Sequence, residues 1–197
     1  MTKWQHPLIL ASSSPRRVAL LKEGGIESIT HPPQLDDGIF TCGTMKVDDW
    51  VKSLAMLKAQ HVQETYASDI GTILAADTVC VVDGNILGQP LDADDASGMI
   101  RSMRNRSHEV YTGWCLVSVD GQYSFCDCEI AEISIGAIQD DEIELYVASN
   151  QWEGKAGGYN LSEQVTAGWP ITCKGDPTSV MGLPMKRLKQ ELHWDLC

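Results

Sequence analysis

No stretch of this sequence approaches the apolar length that a membrane span requires. Its first apolar run, Leu8-Ile9-Leu10-Ala11, is too short for the core of a secretory signal, so a cytoplasmic protein is expected. Positive charge is scarce: 15 Lys and Arg stand against 27 Asp and Glu, a formal net charge of −12. That balance argues against non-specific binding to DNA, RNA or anionic membrane, which depends on a basic surface. It does not exclude a small anionic ligand in a local basic pocket, where so acidic a protein needs a cation as well. The Gly-x-x-x-x-Gly-Lys pattern is absent, which argues against a P-loop. Cys-x-x-Cys is absent too; of the 7 cysteines only Cys126-Asp127-Cys128 are close, and that spacing alone is weak for zinc. They read as reduced thiols packing as small apolar groups. There is no internal repeat or low-complexity tract. At 197 residues the chain is expected to form a single domain, 1–197, with a core of its own.

What is present centres on Ser12-Ser13-Ser14-Pro15-Arg16-Arg17. The apolar run before it has strand length, and Val18-Ala19-Leu20-Leu21 after it reads as helix. Pro15 suits the first helical position, where its missing N–H costs nothing, and Ser14 then falls at the N-cap. Free N–H groups, hydroxyls and two guanidinium groups thus meet at one strand-to-helix junction. Such a junction suits an anion, most naturally a phosphate chain. A capped helix with two solvated arginines fits the same residues.

Further along, Gly24-Gly25 ends that helix, and Ser28 to His31 reads as a short extended piece. Asp36-Asp37-Gly38 reads as an acidic turn. Val47 to about Tyr66 is the clearest helix, with Val47, Trp50, Val51, Leu54, Ala55, Leu57 and Val62 on one stripe and Lys58 at its middle. Either the lysine's stem is buried and its amine snorkels to water, or the amine points into a site. The run Thr72 to Val82 has the near-continuous apolar character of a strand buried on both faces, interrupted by Asp77. A buried carboxylate must be paired, bound to metal or satisfied by neighbouring N–H groups. Asp83-Gly84-Asn85 and Asp120-Gly121 signal hairpins, the second joining strands at Ser107–Val119 and Gln122 to about Ile135. Helices are expected from Asp92 to about Met103, from Asp140 to about Ser149 and from Pro184 to about Leu192. Arg101, Arg104 and Arg106 suit the end of the first of these, where cations complement the dipole. His108 has no Cys or His at ligand spacing and reads as structural. Gly154-Lys155-Ala156-Gly157-Gly158-Tyr159 is a glycine-rich loop able to offer N–H groups to an anion.

Taken in order, these segments resemble the Maf family of nucleoside triphosphate pyrophosphatases. The resemblance rests on Leu10-Ala11-Ser12-Ser13-Ser14-Pro15-Arg16-Arg17, Leu54-Ala55-x-x-Lys58-Ala59, Ala75-Ala76-Asp77-Thr78-Val79 and Leu87-Gly88-x-Pro90. It continues through His108-Glu109-Val110-Tyr111-Thr112-Gly113, Gly154 to Tyr159 and Met181-Gly182-Leu183-Pro184, and so covers nearly the whole chain. It implies an elongated mixed α/β sheet flanked by helices, with two lobes around a nucleotide cleft. It also implies hydrolysis of a nucleoside triphosphate, a pyrimidine such as dTTP or UTP or a modified one, to monophosphate and pyrophosphate. A divalent cation, magnesium or manganese, is implied as cofactor; nucleic acid and membrane are not expected partners, and a homodimer is compatible.

By the same resemblance Asp77 is the base that activates water, and Asp37 with Asp77 would hold the metal. Ser12, Ser14, Arg17 and Lys58 would contact the triphosphate, and Arg16 and Thr78 would help select the base. Lys155 and Ser162 complete the expected substrate contacts. The chain departs from the family pattern at Asp37, usually Glu; at Ser53, usually Arg; at Gln89, usually Lys; and at Ser162, usually Gln. Ser162-Glu163 is similar to a branch that prefers a methylated guanine nucleotide, whereas Arg16 and Thr78 are similar to the thymidine and uridine branch. A second reading is a nucleotide-binding regulatory protein of the same fold that has lost most catalysis.

Overall fold

The structure is a computed structural model that describes residues 3–35 and 40–194. It is mixed α/β: a seven-stranded sheet of hydrogen-bonded order β2-β1-β3-β5-β6-β7, with β4 paired to β3 and helices flanking the strands. The strands are β1 Leu8–Leu10, β2 Ser28–Thr30, β3 Thr72–Val82, β4 Asn85–Leu87, β5 Arg106–Ser118, β6 Ser124–Ile135 and β7 Ile171–Lys174. The helices are α1 Pro15–Glu23, α2 Val47–Thr65, α3 Ala93–Met103, α4 Asp140–Ala148, α5 Leu161–Thr166, α6 Pro177–Val180 and α7 Met185–Leu192. Among the described residues no helix is long and apolar enough to cross a membrane.

The chain forms two compact units. Among the described residues, one comprises those within 1–77, 112–129 and 182–197, the other 78–111 and 130–181. In the first, β1 lies between β2 and β3 and is parallel to both, with Leu8 opposite Ser28 on one side and Thr72 on the other. The chain therefore leaves β1 through α1 to one neighbour and returns through α2 to the other. Such a reversal opens a crevice at the carboxyl ends of the strands, the usual ligand position in open parallel sheets. β1 is fully buried, as its unbroken apolar run requires.

The stripe of α2 packs on this sheet, where Ala59 and Val62 meet Ile9, Ile73 and Val117. Gly113 allows the helix to approach β5 backbone to backbone: a Cβ there would lie 2.3 Å from the Val51 carbonyl carbon. This unit also departs from the expectation of reduced thiols throughout, because Cys115 and Cys126 form a disulfide. They stand symmetrically about the Asp120-Gly121 turn, so the hairpin between β5 and β6 brings them opposite one another. Cys42, Cys80, Cys128 and Cys173 are free thiols.

The second unit packs around Cys80, Ile100, Met103, Ile133, Tyr146 and Trp169. Its β3–β4 hairpin turns through Asp83 and Gly84, with φ of 49° and 80°, the left-handed pair that such a two-residue turn needs. Arg101 and Arg104 do not simply cap α3; both bind Asp140 in the first turn of α4, and Arg104 Nη1 also donates to the Ile138 carbonyl. Arg106 pairs with Asp83. β7, an edge strand on β6, was not expected, because Ile171-Thr-Cys-Lys is too short to carry a clear alternation.

Candidate active site

In the first unit the Ser12–Arg17 junction follows the carboxyl end of β1. Pro15 opens α1 and Ser14 is its N-cap residue, but the Ser14 hydroxyl makes no cap bond. Ser12 takes the organising role instead. Its side chain is buried, and its Oγ accepts from the Ser14 N–H at 3.1 Å and from Arg17 Nη1 at 3.2 Å. Arg17 is held a second time, because its Nε donates to the Gly182 carbonyl oxygen at 3.0 Å. Gly182 has φ of 112°, where L side chains are strained, and a Cβ on it would press on that same Nε at 3.0 Å. The Met181-Gly182-Leu183-Pro184 segment thus has a physical reason: it carries a carbonyl close enough to fix a guanidinium. Arg16 and Ser14 are half-buried beside it.

The two charges that stood out on apolar elements meet. Lys58 Nζ donates to Asp77 Oδ1 at 2.6 Å, with side chains 13% and 12% exposed. The lysine amine therefore reaches a carboxylate rather than bulk water. The buried carboxylate is satisfied by the lysine amine, a charge-assisted bond that fixes one of its oxygens. Asp77 lies in β3 three residues beyond Leu74, which pairs with the last residue of β1, so it stands at the carboxyl end of the parallel pair.

Asp37 lies outside the described residues. Among those described, no three His, Cys, Asp or Glu side chains gather as a metal site. They offer one central carboxylate, Asp77, already paired with Lys58, and do not by themselves build a cation site.

The second unit carries the remaining expected contacts. Thr78 is half-buried in β3, and Gln89 is exposed. The glycine-rich loop makes a 3-10 turn at Ala156–Gly158 and runs on into α5. Lys155 is not left to an anion: it forms an ion pair with Glu163. Asn160 caps α5 by accepting from the Glu163 N–H at 3.1 Å, and the Ser162 hydroxyl donates to the same Asn160 oxygen at 2.9 Å. Ser162, Asn160, Glu163 and Lys155 are therefore one polar cluster.

His108, expected to be structural, is buried and holds a specific partner. It is 3% exposed, and its Nε2 lies 2.8 Å from the Tyr159 hydroxyl. Burial lowers its pKa to about 4, so the imidazole is neutral near pH 7. Burial likewise raises the Tyr159 pKa well above 10.0.

Comparison with known proteins bears on the whole chain. The family model described as Maf-like protein matches residues 7–194. A dTTP/UTP pyrophosphatase of Salinibacter ruber is 36% identical over 95% of this chain and 90% of its own. One of Chelativorans is 37% identical over 90% of this chain and 86% of its own. One of Pyrococcus furiosus is 33% identical over 90% of each.

Proposed function

The chain belongs to the family of Maf-like proteins, and from that premise we propose that it is a hydrolase cleaving nucleoside triphosphates to a monophosphate and pyrophosphate. The observation that carries the proposal is the buried Lys58–Asp77 pair at the carboxyl end of β1 and β3. An ion pair with so little access to water contributes little net stability over apolar packing, so its retention points to chemistry. The similarity to relatives named dTTP/UTP pyrophosphatase supports pyrimidine triphosphates as substrates.

In this reading Arg17, fixed by Ser12 and Gly182, binds phosphate oxygens, with the Ser12–Arg17 junction as the anion wall. Lys58 holds Oδ1 of Asp77 and adds positive charge near the phosphates. The other carboxylate oxygen, Oδ2, takes a proton from the attacking water. The water oxygen joins phosphorus, the bond between the α and β phosphates breaks, and pyrophosphate leaves. Base selection is assigned to Arg16 on the first unit, and to Thr78, Lys155 and Ser162 on the second. A divalent cation, magnesium or manganese, would arrive with the triphosphate and offset its charge. Cytoplasmic residence goes with this reading, since that is where the substrates are.

The test is incubation with a panel of nucleoside triphosphates and magnesium or manganese, with separate assays for pyrophosphate and phosphate. Turnover to monophosphate and pyrophosphate, fastest with dTTP or UTP, is expected, and Asp77→Asn should abolish it. Binding without turnover for every base would instead establish a regulatory nucleotide-binding protein. Release of phosphate in place of pyrophosphate would overturn the assignment of the broken bond.

A further inference from the structure

Lys155 and Ser162, two of the expected substrate contacts, lie on the segment Lys155 to Glu163, a 3-10 turn followed by the first turn of α5. What holds it is a set of contacts within the second unit. Gly157 and Gly158 take φ of 69° and 76° and are closely packed: a Cβ on Gly157 would meet Cys80 Sγ at 2.7 Å, and one on Gly158 would meet Pro90 at 3.2 Å. The Gly157 N–H donates to the Gly88 carbonyl at 2.8 Å, and the Tyr146 hydroxyl donates to the Gly158 carbonyl at 3.0 Å. These fix the entry to the segment. Its next residue, Tyr159, stands between those glycines and the Asn160 cap, and its hydroxyl meets His108 Nε2 at 2.8 Å from β5. The rings cross edge-on at 84° with centroids 5.8 Å apart.

We infer that His108 is a positioning residue that, through the Tyr159 hydroxyl, sets the course of the Lys155–Glu163 segment and thereby the discrimination among nucleotide bases. The inference rests on the proposed function for its substrate half. An aromatic or apolar pair would fill this space without burying a hydroxyl and an imidazole, both of which lose hydration there. What the polar pair adds is direction: a hydrogen bond fixes the depth and rotation of the Tyr159 ring, which packing alone leaves softer. A displacement of that ring passes directly to Asn160, whose side chain accepts from both Ser162 and Glu163. The neutral state of His108 at working pH makes the bond one between uncharged groups, insensitive to pH near neutrality.

The test uses the full-length protein and three variants: His108→Phe, Tyr159→Phe, and His108→Gln as the conservative one. Steady-state kinetics are taken with dTTP, UTP, CTP and dGTP. Hydrogen exchange is followed at the amides of 155–163 in the protein without nucleotide. His108→Phe and Tyr159→Phe should each raise KM for the preferred nucleotide about tenfold, the value of one hydrogen bond, with kcat changed less than about twofold. Both should flatten the ratio of kcat/KM between preferred and poor bases, and the double variant should do no more than either single one. His108→Gln should restore most of the preference. Exchange across 155–163 should quicken about tenfold in the two Phe variants only. Equal losses on every nucleotide, or unchanged exchange in folded variants, would overturn the inference. If the unaltered protein hydrolyses no nucleoside triphosphate, the parent reading and the base-selecting half both fall. The exchange experiment then still decides whether His108 holds the segment.

Discussion

Removing one member of the Lys58–Asp77 pair should cost far more than removing both. The side chains are 13% and 12% exposed and 2.6 Å apart, so either charge left alone would be desolvated without compensation. Truncation of one partner of a fully buried pair costs about 3–5 kcal/mol, and the residual exposure here lowers that to about 2 kcal/mol. Lys58→Met and Asp77→Leu are suited to the test because each keeps an apolar body near the original length. Each single variant should lose about 2 kcal/mol, a fall in Tm of roughly 4–8 °C for a chain of this size. The double variant should lose only about 1 kcal/mol, a coupling of about 3 kcal/mol. Urea denaturation of the four proteins at neutral pH measures the cycle directly. Additive losses, with a coupling below about 0.5 kcal/mol, would refute the claim that the two charges sustain one another. The kinetic counterpart separates stability from chemistry: the double variant should be folded yet inactive, which no simple loss of folded protein would produce.

Other parts of the molecule give further expectations. Gly182→Ala forces a strained φ and presses a methyl group on Arg17 Nε, so it should cost about 1–3 kcal/mol and raise KM for the triphosphate. An unchanged KM in folded protein would show that the clamp on Arg17 is idle. Reduction of Cys115–Cys126, which closes a loop of sequence separation 11, should remove about 3 kcal/mol and release two titratable thiols. Tm with and without reductant, beside a thiol titration, checks both. His108 is held neutral by burial, with its pKa lowered from 6.5 to about 4. Because the folded value lies below the unfolded one, its contribution is complete above pH 6.5 and is lost as pH falls toward 4, by about 3 kcal/mol in all. The stability gap between the protein and His108→Gln should therefore narrow on acidification, as urea midpoints at neutral pH and near pH 4.5 would show.

Long periodic elements were legible in the sequence because their signals are strong. The stripe of α2 and the run of β3 appear almost residue for residue, at Val47–Thr65 and Thr72–Val82. Two short elements were not: α5 and β7 span too few residues for a period to emerge. The disulfide was missed although its signal was present. Reading the seven cysteines for motif spacing ignored that the Asp120-Gly121 turn sets a register, and that register places Cys115 against Cys126. His108 has no Cys or His at ligand spacing, and its sequence surroundings point only to a structural role. Its partner, Tyr159, lies 51 residues away, in a loop whose course no local pattern specifies.

The site itself was legible for a different reason, because its residues violate the pattern of the elements that carry them. A lysine at the middle of an apolar helical stripe and an aspartate inside a buried strand are each costly alone. Two such violations on consecutive elements that must pack together are most economically resolved by one another. The parallel β1–β3 pairing and the close seat of α2 on this sheet bring them to 2.6 Å. The Ser12–Arg17 junction shows the complement of that rule. Its residues violate nothing, since serine, proline and arginine all suit a helix start. Local chemistry therefore could not separate an anion site from a well-formed helix end. What the structure adds is the anchoring of Arg17 from outside the helix, by the carbonyl of a glycine 165 residues further along the chain. A guanidinium held by Ser12 on one side and Gly182 on the other has lost the rotational freedom of a surface arginine before any ligand arrives. In the proposed reading, part of the entropy of binding phosphate is thus met by the fold.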